Sequence, residues 1–244
     1  LSAAVRYAGT PAHPVQVMVK PFGEDAKLAT NASRSGRKTL FLIVVGETAR
    51  ADHFSLNGYG RPTNPELAKF PELVNYPEAY SCGTDTAHSV PCMFSGLGRA
   101  HFSKAAAAGQ ENLLDILKRA GVDVAWRENQ AGCKGVCDRV PTEELTGASK
   151  APYFSHNENH DEILVEGLTQ RIGALDRDTV IVEHMMGSHG PAYWKRVPER
   201  FEVFKPVCEH SQFSRCENAA IVNAYDNSLV YTDYVLSRFV ETLK

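Results

Sequence analysis

The chain has 244 residues, of which 43% are hydrophobic and 23% are charged, and its formal net charge is −3. This composition is typical of a globular protein and excludes a disordered chain, while the small negative charge excludes a broadly basic, nucleic-acid-binding surface. No apolar run approaches the roughly 20 residues that a membrane helix needs. The sequence around Leu1 lacks the features of a signal peptide and is typical of the interior of a longer chain.

The first predicted strand ends in an acidic residue. Residues 1–37 are polar and weakly patterned, so we predict a linker there and a single domain over residues 38–244. Thr39–Arg50 contains an apolar, β-branched run that stops at Gly46, which is typical of a strand buried on both faces of a parallel sheet. Glu47 follows directly, at the strand end where open α/β sheets bind ligands. The alternative is a carboxylate that only favours the start of the next helix.

The later elements alternate between helix and strand. The turn formers of Leu56–Leu67 predict a loop that ends in a helix start at Asn64-Pro65. The apolar spacing then predicts a helix over Glu111–Ala120, a strand over Val122–Trp126, a helix over His160–Leu175, a strand over Thr179–His184 and a long helix from Cys216 onward. This alternation predicts an α/β fold with a mostly parallel sheet. Because a further strand is expected after the long helix, we predict that the domain's C-terminal strands are missing from this sequence.

The cysteines indicate the compartment. Six cysteines allow 15 disulfide connectivities, but they fall into three close pairs, and sequential pairing is the simplest solution. Disulfides indicate an oxidising compartment such as the periplasm or the cell exterior. The alternative is that some of the cysteines are free or bind a metal, although the spacing in CKGVC does not match a common zinc half-site. The predicted pairs are Cys82/Cys92, Cys133/Cys137 and Cys208/Cys216.

A hydroxyl-rich loop lies between the first two cysteines. It offers Thr84, Thr86 and Ser89 with Asp85 and His88 beside them. A threonine hydroxyl is a poor nucleophile at neutral pH and needs a base or a metal ion. The alternative is a set of helix-capping residues, and the two interpretations are compatible because a helix N-terminus also favours an anionic phosphoryl group.

Three further side chains are candidates by position. Lys134 lies between two cysteines, where a short disulfide would hold its ammonium towards a phosphate, although a solvated surface lysine is the simpler interpretation. His189 follows the third strand and so lies at the same sheet edge as Glu47. His184 is interpreted as a core residue at the strand end. The GSHG sequence does not match GxSxG, so no nucleophile elbow is predicted at Ser188.

Several motifs in order resemble one family. VVGETARADHFSLNGYGRPTNPEL, SCGTDTAHSVPCMFSG, CKGVCDRV, GSHGPAYWKR and NAYDNSLVYTD together are similar to the phosphoethanolamine transferases that modify lipid A, which include the mobile colistin resistance enzymes. The resemblance implies an αβα sandwich of the alkaline phosphatase/sulfatase type. It also implies the periplasmic catalytic domain of an inner-membrane protein whose N-terminal membrane domain is missing here.

The resemblance implies roles for four residues. Glu47 resembles the family's zinc-binding glutamate, and Thr86 resembles the zinc-bound nucleophile that carries phosphoethanolamine. Lys134 and His189 occupy positions that the family uses around the transferred group. The family completes its zinc site with an Asp-His pair in an SDHGE segment, which does not occur before Lys244. A second difference is that Thr146–Glu158 lacks a cysteine pair that several members carry.

The implied reaction is a zinc-dependent transfer of phosphoethanolamine from phosphatidylethanolamine to a lipid A phosphate, through a covalent intermediate on Thr86, which gives resistance to polymyxins. The alternatives are a transferase or phosphatase of the same fold with another acceptor, and a catalytically incomplete fragment. A sulfatase is disfavoured because Ser89–Met93 has the proline of the formylglycine motif without its arginine.

Overall fold

A computed structural model describes residues 18–29, 38–146 and 152–244. Four parallel strands form the main sheet in the order β1-β6-β2-β3, and two short antiparallel strands form a separate hairpin. The strands are β1 Leu40–Val45, β2 Asp123–Glu128, β3 Thr142–Glu144, β4 Phe154–Ser155, β5 Glu158–Asn159 and β6 Thr179–His184. The α-helices are α1 Thr86–Phe94, α2 Gly98–His101, α3 Lys104–Ala108, α4 Leu113–Arg119, α5 Leu168–Gly173 and α6 Asn218–Leu243.

Two apolar cores cover the two faces of the sheet. On one face, Val90 and Phe94 of α1 and Leu114 of α4 pack with strand residues such as Trp126. On the other face, α5 and α6 contribute the buried side chains Leu168, Tyr231, Val235 and Phe239, which pack with Ile181 of β6. Alternate residues of the central strand β6 thus face opposite layers, as the strand period of two requires. The predicted αβα sandwich with a mostly parallel sheet is confirmed.

Two buried aspartates of α6 hold the long segment after β1. Asp226 is fully buried and accepts hydrogen bonds from Tyr59 and Arg61 at 2.8 Å, while His53 Nδ1 lies 2.6 Å from its other oxygen. Asp233 accepts hydrogen bonds from the backbone amides of Glu66 and Leu67, at 2.7 and 3.1 Å. Buried charges of this kind are stable only when they are paired or hydrogen-bonded, and both carboxylates meet that condition.

Most predicted elements are confirmed, and two need correction. The strand at Thr179–His184 has the predicted bounds, and the predicted helix at Glu111–Ala120 is α4, with Asn112 and Asp115 forming a capping box. The single helix predicted over His160–Leu175 is wrong: a 3-10 turn over Asp161–Leu164 is separated from α5 by Gly167, whose φ is 74°. Apolar spacing cannot detect this break, because the 3-10 turn and α5 bury Leu164 and Leu168 in the same apolar core.

The second correction concerns Asn64-Pro65, where a helix start was predicted. Only a 3-10 turn over Leu67–Lys69 forms, because Pro71 disfavours the helical conformation of the residue before it, and Phe70 is extended with φ −90° and ψ 109°. The predicted linker lies mostly outside the described residues, and so does part of Thr146–Glu158. Of the helices in the described ranges, none combines the length and the apolar character that crossing a bilayer requires.

A buried histidine makes the fold sensitive to acid. His160 is 5% exposed, its Nε2 lies 3.1 Å from Ser155 Oγ, and its ring packs edge-on against Tyr231. Burial lowers the pKa of His160 to about 4. The unfolded chain binds this proton near pH 6.5, so stability is fully present above that pH and is lost as the pH falls towards 4.

We therefore expect His160→Gln to flatten the pH dependence of stability. Wild-type protein should lose up to about 3 kcal/mol of unfolding free energy between pH 7 and pH 4 through this group, and the variant should not. Urea unfolding at several pH values measures the difference. His101→Gln is the control because His101 is exposed. An unchanged pH slope in His160→Gln would contradict this assignment.

Candidate functional site

Two side chains that are 39 positions apart meet at the carboxyl edge of the sheet. Glu47 follows β1 after a single glycine, and Thr86 is the first residue of α1. The Thr86 hydroxyl donates a hydrogen bond of 2.6 Å to Glu47 Oε2. The two residues predicted from the sequence to share a site are therefore in direct contact.

Thr86 stands at a fixed helix N-terminus. The first N–H groups of a helix lack intrahelical acceptors, so they are available to an anion beside the Thr86 hydroxyl. The Asp85 side chain does not cap them and instead pairs with Lys104 at 3.2 Å. A disulfide between Cys82 and Cys92 joins the preceding loop to the helix and restricts the position of Thr86.

The turn that presents Glu47 is held from several sides. Thr48 has a φ of 51°, which is uncommon for a β-branched residue, and its hydroxyl donates a 2.6 Å hydrogen bond to Glu47 Oε1. The Tyr225 hydroxyl of α6 donates to the Thr48 carbonyl at 2.7 Å and accepts from the Arg50 amide at 2.8 Å. Burial raises the pKa of Tyr225 to about 12, so this hydroxyl keeps its proton. Both carboxylate oxygens of Glu47 thus have a hydroxyl donor.

The segment after β6 lies directly against Glu47. Ser188 N donates to the Glu47 carbonyl at 3.0 Å. Gly187 has a φ of 51°, and a Cβ at this position would lie 3.0 Å from both the amide nitrogen and the carbonyl oxygen of Glu47. Only glycine permits this approach without displacing the backbone that carries Glu47.

Lys134 lies in a strained turn beside the start of α1. Its φ is 56°, the Cys133–Cys137 disulfide closes the turn, and its ammonium donates to the Ala131 carbonyl. Lys134 and Ala87, the neighbour of Thr86, both line a cavity of about 570 Å³. The other lining residues include small or apolar ones from α1, α3 and the disulfide turn: Pro91, Ser95, Ala107, Ala108, Gly135 and Val136.

His189 is two residues beyond Gly187. Its Nδ1 is buried without a hydrogen-bond partner, and its carbonyl accepts from Arg196 Nε at 3.0 Å. Neither Lys134 nor His189, both among the described residues, is hydrogen-bonded to Glu47 or Thr86. His184 is fully buried, as predicted for a core residue.

All three predicted disulfides form, which confirms the sequential pairing of Cys82 with Cys92, Cys133 with Cys137 and Cys208 with Cys216. The sequence alone did not single out the residues that support the Glu47 turn. Tyr225 lies within the predicted long helix from Cys216 onward, and Gly187 is the first glycine of the GSHG sequence. A glycine three residues after the end of β6 was the available signal for the close approach.

The site fits a divalent cation in the type of its donors. Zinc accepts carboxylate oxygens as ligands, and a site normally has at least three protein ligands. Within the described ranges, Glu47 and Thr86 supply two oxygen donors. The one group of three or more candidate ligands found there is Cys133, Cys137 and Asp138, and both of its cysteines are in a disulfide. The pair therefore offers two of the at least three protein ligands that a zinc site normally has.

A parallel sheet with a hydroxyl at a helix N-terminus and a carboxylate at the adjacent strand end defines an α/β domain of the alkaline phosphatase/sulfatase class. The Sulfatase family matches residues 39–244. The chain is 46% identical to phosphoethanolamine transferase EptA of Escherichia coli K12 over 222 residues, which cover 91% of this chain and 40% of that protein. It is 42% identical to phosphatidylethanolamine transferase Mcr-1 of Escherichia coli, over 90% of this chain and 42% of that one.

A solved structure supports the same relationship. The soluble domain of lipooligosaccharide phosphoethanolamine transferase A from Neisseria meningitidis is 38% identical and superposes with a TM-score of 0.86, over 94% of this chain and 68% of that domain. The chain belongs to the Sulfatase family and, within it, to the phosphoethanolamine transferases. It spans about 40% of the length of the curated relatives it matches.

Proposed function

We propose that this chain carries the catalytic site for transfer of phosphoethanolamine from phosphatidylethanolamine to a phosphate of lipid A, with Thr86 as the nucleophile. The observation that carries the proposal is the 2.6 Å hydrogen bond from the Thr86 hydroxyl to the Glu47 carboxylate at a helix N-terminus. The names of the relatives, which are phosphoethanolamine transferases, support the donor group.

The proposed cofactor is Zn²⁺, held in part by Glu47 and Thr86. When bound, the ion supplies a Lewis acid that lowers the pKa of the threonine hydroxyl and neutralises charge on the phosphoryl oxygens. Glu47 orients the hydroxyl through the hydrogen bond that it accepts, and Thr48 fixes the second carboxylate oxygen. These two hydrogen bonds together restrict the orientation of the Thr86 hydroxyl.

The proposed reaction has two displacement steps. In the first, a bond forms between Thr86 Oγ1 and the donor phosphorus, the phosphorus–oxygen bond to diacylglycerol breaks, and the threonine proton goes to the departing alkoxide. In the second, a phosphate oxygen of lipid A attacks the same phosphorus, and Thr86 leaves and regains a proton. Lys134 and the first N–H groups of α1 would balance negative charge on the non-bridging oxygens, as phosphoryl transfer requires.

Lys134 and His189 are the proposed substrate-binding residues. The cavity beside α1 supports this role because Ala87, the neighbour of Thr86, lines it together with Lys134. Its wall combines further charged side chains, Lys104, Arg139 and Asp138, with small and apolar residues. An amphiphile such as phosphatidylethanolamine carries its phosphate between a charged head group and an apolar tail. His189 has a buried Nδ1 that is open to a polar partner.

The proposed location is the periplasmic face of the bacterial inner membrane, with attachment through an N-terminal membrane domain that precedes this sequence. The three disulfides support an oxidising compartment.

Phosphoethanolamine adds an amine to lipid A, so it would weaken the binding of cationic polymyxins, including colistin. No nucleic acid takes part.

A transferase or phosphatase with another acceptor is the second candidate, because no described residue is assigned to the lipid A contact. Mass spectrometry of lipid A from cells that express the full-length protein distinguishes the two. We expect lipid A that carries phosphoethanolamine. Unmodified lipid A beside a modified glycan or protein would redirect the proposal to that acceptor.

A further inference from the structure

A buried carboxylate joins two strand ends beneath the site. Asp161 is 3% exposed and begins the 3-10 turn that precedes α5. Its Oδ1 accepts hydrogen bonds from Met186 N at 2.8 Å and from Asn129 Nδ2 at 3.0 Å, and its Oδ2 accepts from Gly187 N at 2.7 Å. Asn129 directly follows β2, and the two amides belong to the segment after β6. Asp161 therefore fixes the ends of both strands at the rim.

The amides that Asp161 holds belong to the segment that touches Glu47. Gly187 approaches the backbone of Glu47 closely enough that a Cβ would lie 3.0 Å from its nitrogen and oxygen. The next residue, Ser188, donates its amide to the Glu47 carbonyl at 3.0 Å. A shift of the Met186–Gly187 peptide must therefore either break the contacts of Gly187 and Ser188 with the Glu47 backbone or move Glu47 itself.

We propose that Asp161 is a positioning residue for Glu47, acting through the Met186–Gly187 backbone. Asp161 is not hydrogen-bonded to Glu47 or to Thr86, so it has no direct part in the chemistry. Two consecutive amides and one side-chain amide converge on it, which gives the turn a single orientation. Displacing a reacting group by about 1 Å can cost on the order of 100-fold in rate, so a carboxylate two contacts away can control activity. The inference rests on the proposed function, in which Glu47 orients Thr86 and helps to hold the metal.

The chain contains a matched control for this proposal. Asp233 is also buried and also accepts two consecutive backbone amides, from Glu66 and Leu67. It lies eight positions beyond Tyr225 on α6, which is about 12 Å along the helix. Asp161→Asn and Asp233→Asn thus remove the same kind of interaction, one beneath Glu47 and one away from it.

The experiment compares both variants in the full-length protein. An asparagine has one oxygen, so its NH₂ group must face one of the amide donors, and that turn loses a hydrogen bond. We expect Asp161→Asn to lower kcat by about 10- to 100-fold, with the KM for phosphatidylethanolamine within about twofold of wild type. Its affinity for Zn²⁺, measured alone by competition with a chelating dye, should also fall. Asp233→Asn should lose similar thermal stability and keep kcat and zinc affinity within about twofold.

A second variant tests the same connection from the other side. Gly187→Ala places a methyl group against Glu47 and should reproduce the loss of kcat and zinc affinity. Combined with Asp161→Asn it should add much less than the product of the two single effects, because both act through one contact. Gly167→Ala is the control, since Gly167 also has a positive φ of 74° but nothing lies within 4 Å of its Cβ position.

Equal losses of kcat and zinc affinity in Asp161→Asn and Asp233→Asn would overturn the proposal, since Asp161 would then be merely structural. Fully independent effects of Asp161→Asn and Gly187→Ala would overturn it too. Failure of the proposed function is a different result: wild-type protein itself would then transfer no phosphoethanolamine. Zinc affinity remains measurable in that case and still reports on whether Asp161 positions Glu47.

Discussion

Thr86→Ala in the full-length protein is expected to abolish phosphoethanolamine transfer. The variant removes the oxygen that the proposed mechanism bonds to phosphorus, and loss of a covalent nucleophile typically costs at least about 10⁴-fold in rate. The fold should survive, because Thr86 opens α1 with a backbone that alanine also adopts, and the Cys82–Cys92 disulfide still holds the helix. Lipid A mass spectrometry and a donor turnover assay measure the loss.

The covalent intermediate gives a more direct readout of the same variant. Wild-type protein mixed with phosphatidylethanolamine without acceptor should carry phosphoethanolamine on the peptide that contains Thr86, and Thr86→Ala should carry none. Thr84→Ala is the control, because Thr84 lies two residues earlier in the same loop and is exposed. Full activity in Thr86→Ala, or an adduct on Thr84, would assign the nucleophile to another hydroxyl.

The sequence predicted the layers of the fold because its strong signals are local. The run before Gly46 and the TVIVEH strand are apolar and β-branched, so each is identifiable without knowledge of its partners. Parallel strands in an alternating fold bring their carboxyl ends to one edge, and this rule alone places Glu47 near the other strand ends. The cysteine pairs were predictable for a similar reason, since each closes a short loop.

The supporting contacts could not be predicted because they join residues that are distant along the chain. Asp226 and Asp233 are polar residues within a long helix, and their partners lie more than 160 positions earlier. Asp161 was placed inside a predicted helix, whereas its side chain in fact holds the segment after β6. Local spacing carries no information on which backbone amides a buried carboxylate will meet. The residues themselves indicated a strand-end carboxylate and a hydroxyl-rich loop as one site, but the choice of Thr86 within that loop rested on the resemblance to the family.

The charge of Glu47 is expected to matter more than its shape. Glu47→Gln keeps the length of the side chain and one oxygen that can accept the Thr86 hydroxyl, but it removes the negative charge that a carboxylate ligand contributes to zinc binding. We expect the full-length variant to lose tight zinc binding and to transfer phosphoethanolamine at least about 10²- to 10³-fold more slowly. Zinc content after purification without chelators and the rate of donor turnover are the two measurements.

Glu144→Gln is the matched control for this variant. Glu144 ends β3 in the same parallel sheet and is exposed, so it shares the strand-end position of Glu47 without the contact to Thr86. It should keep zinc content and activity within about twofold of wild type. If Glu47→Gln also retained its zinc, the carboxylate would act only as a hydrogen-bond acceptor for Thr86. In that case Glu47→Gln should also transfer phosphoethanolamine at the wild-type rate, because the amide oxygen can accept the same hydrogen bond. Loss of zinc together with loss of rate in Glu47→Gln, with both retained in Glu144→Gln, is the outcome that joins the carboxylate, the hydroxyl and the metal in one site.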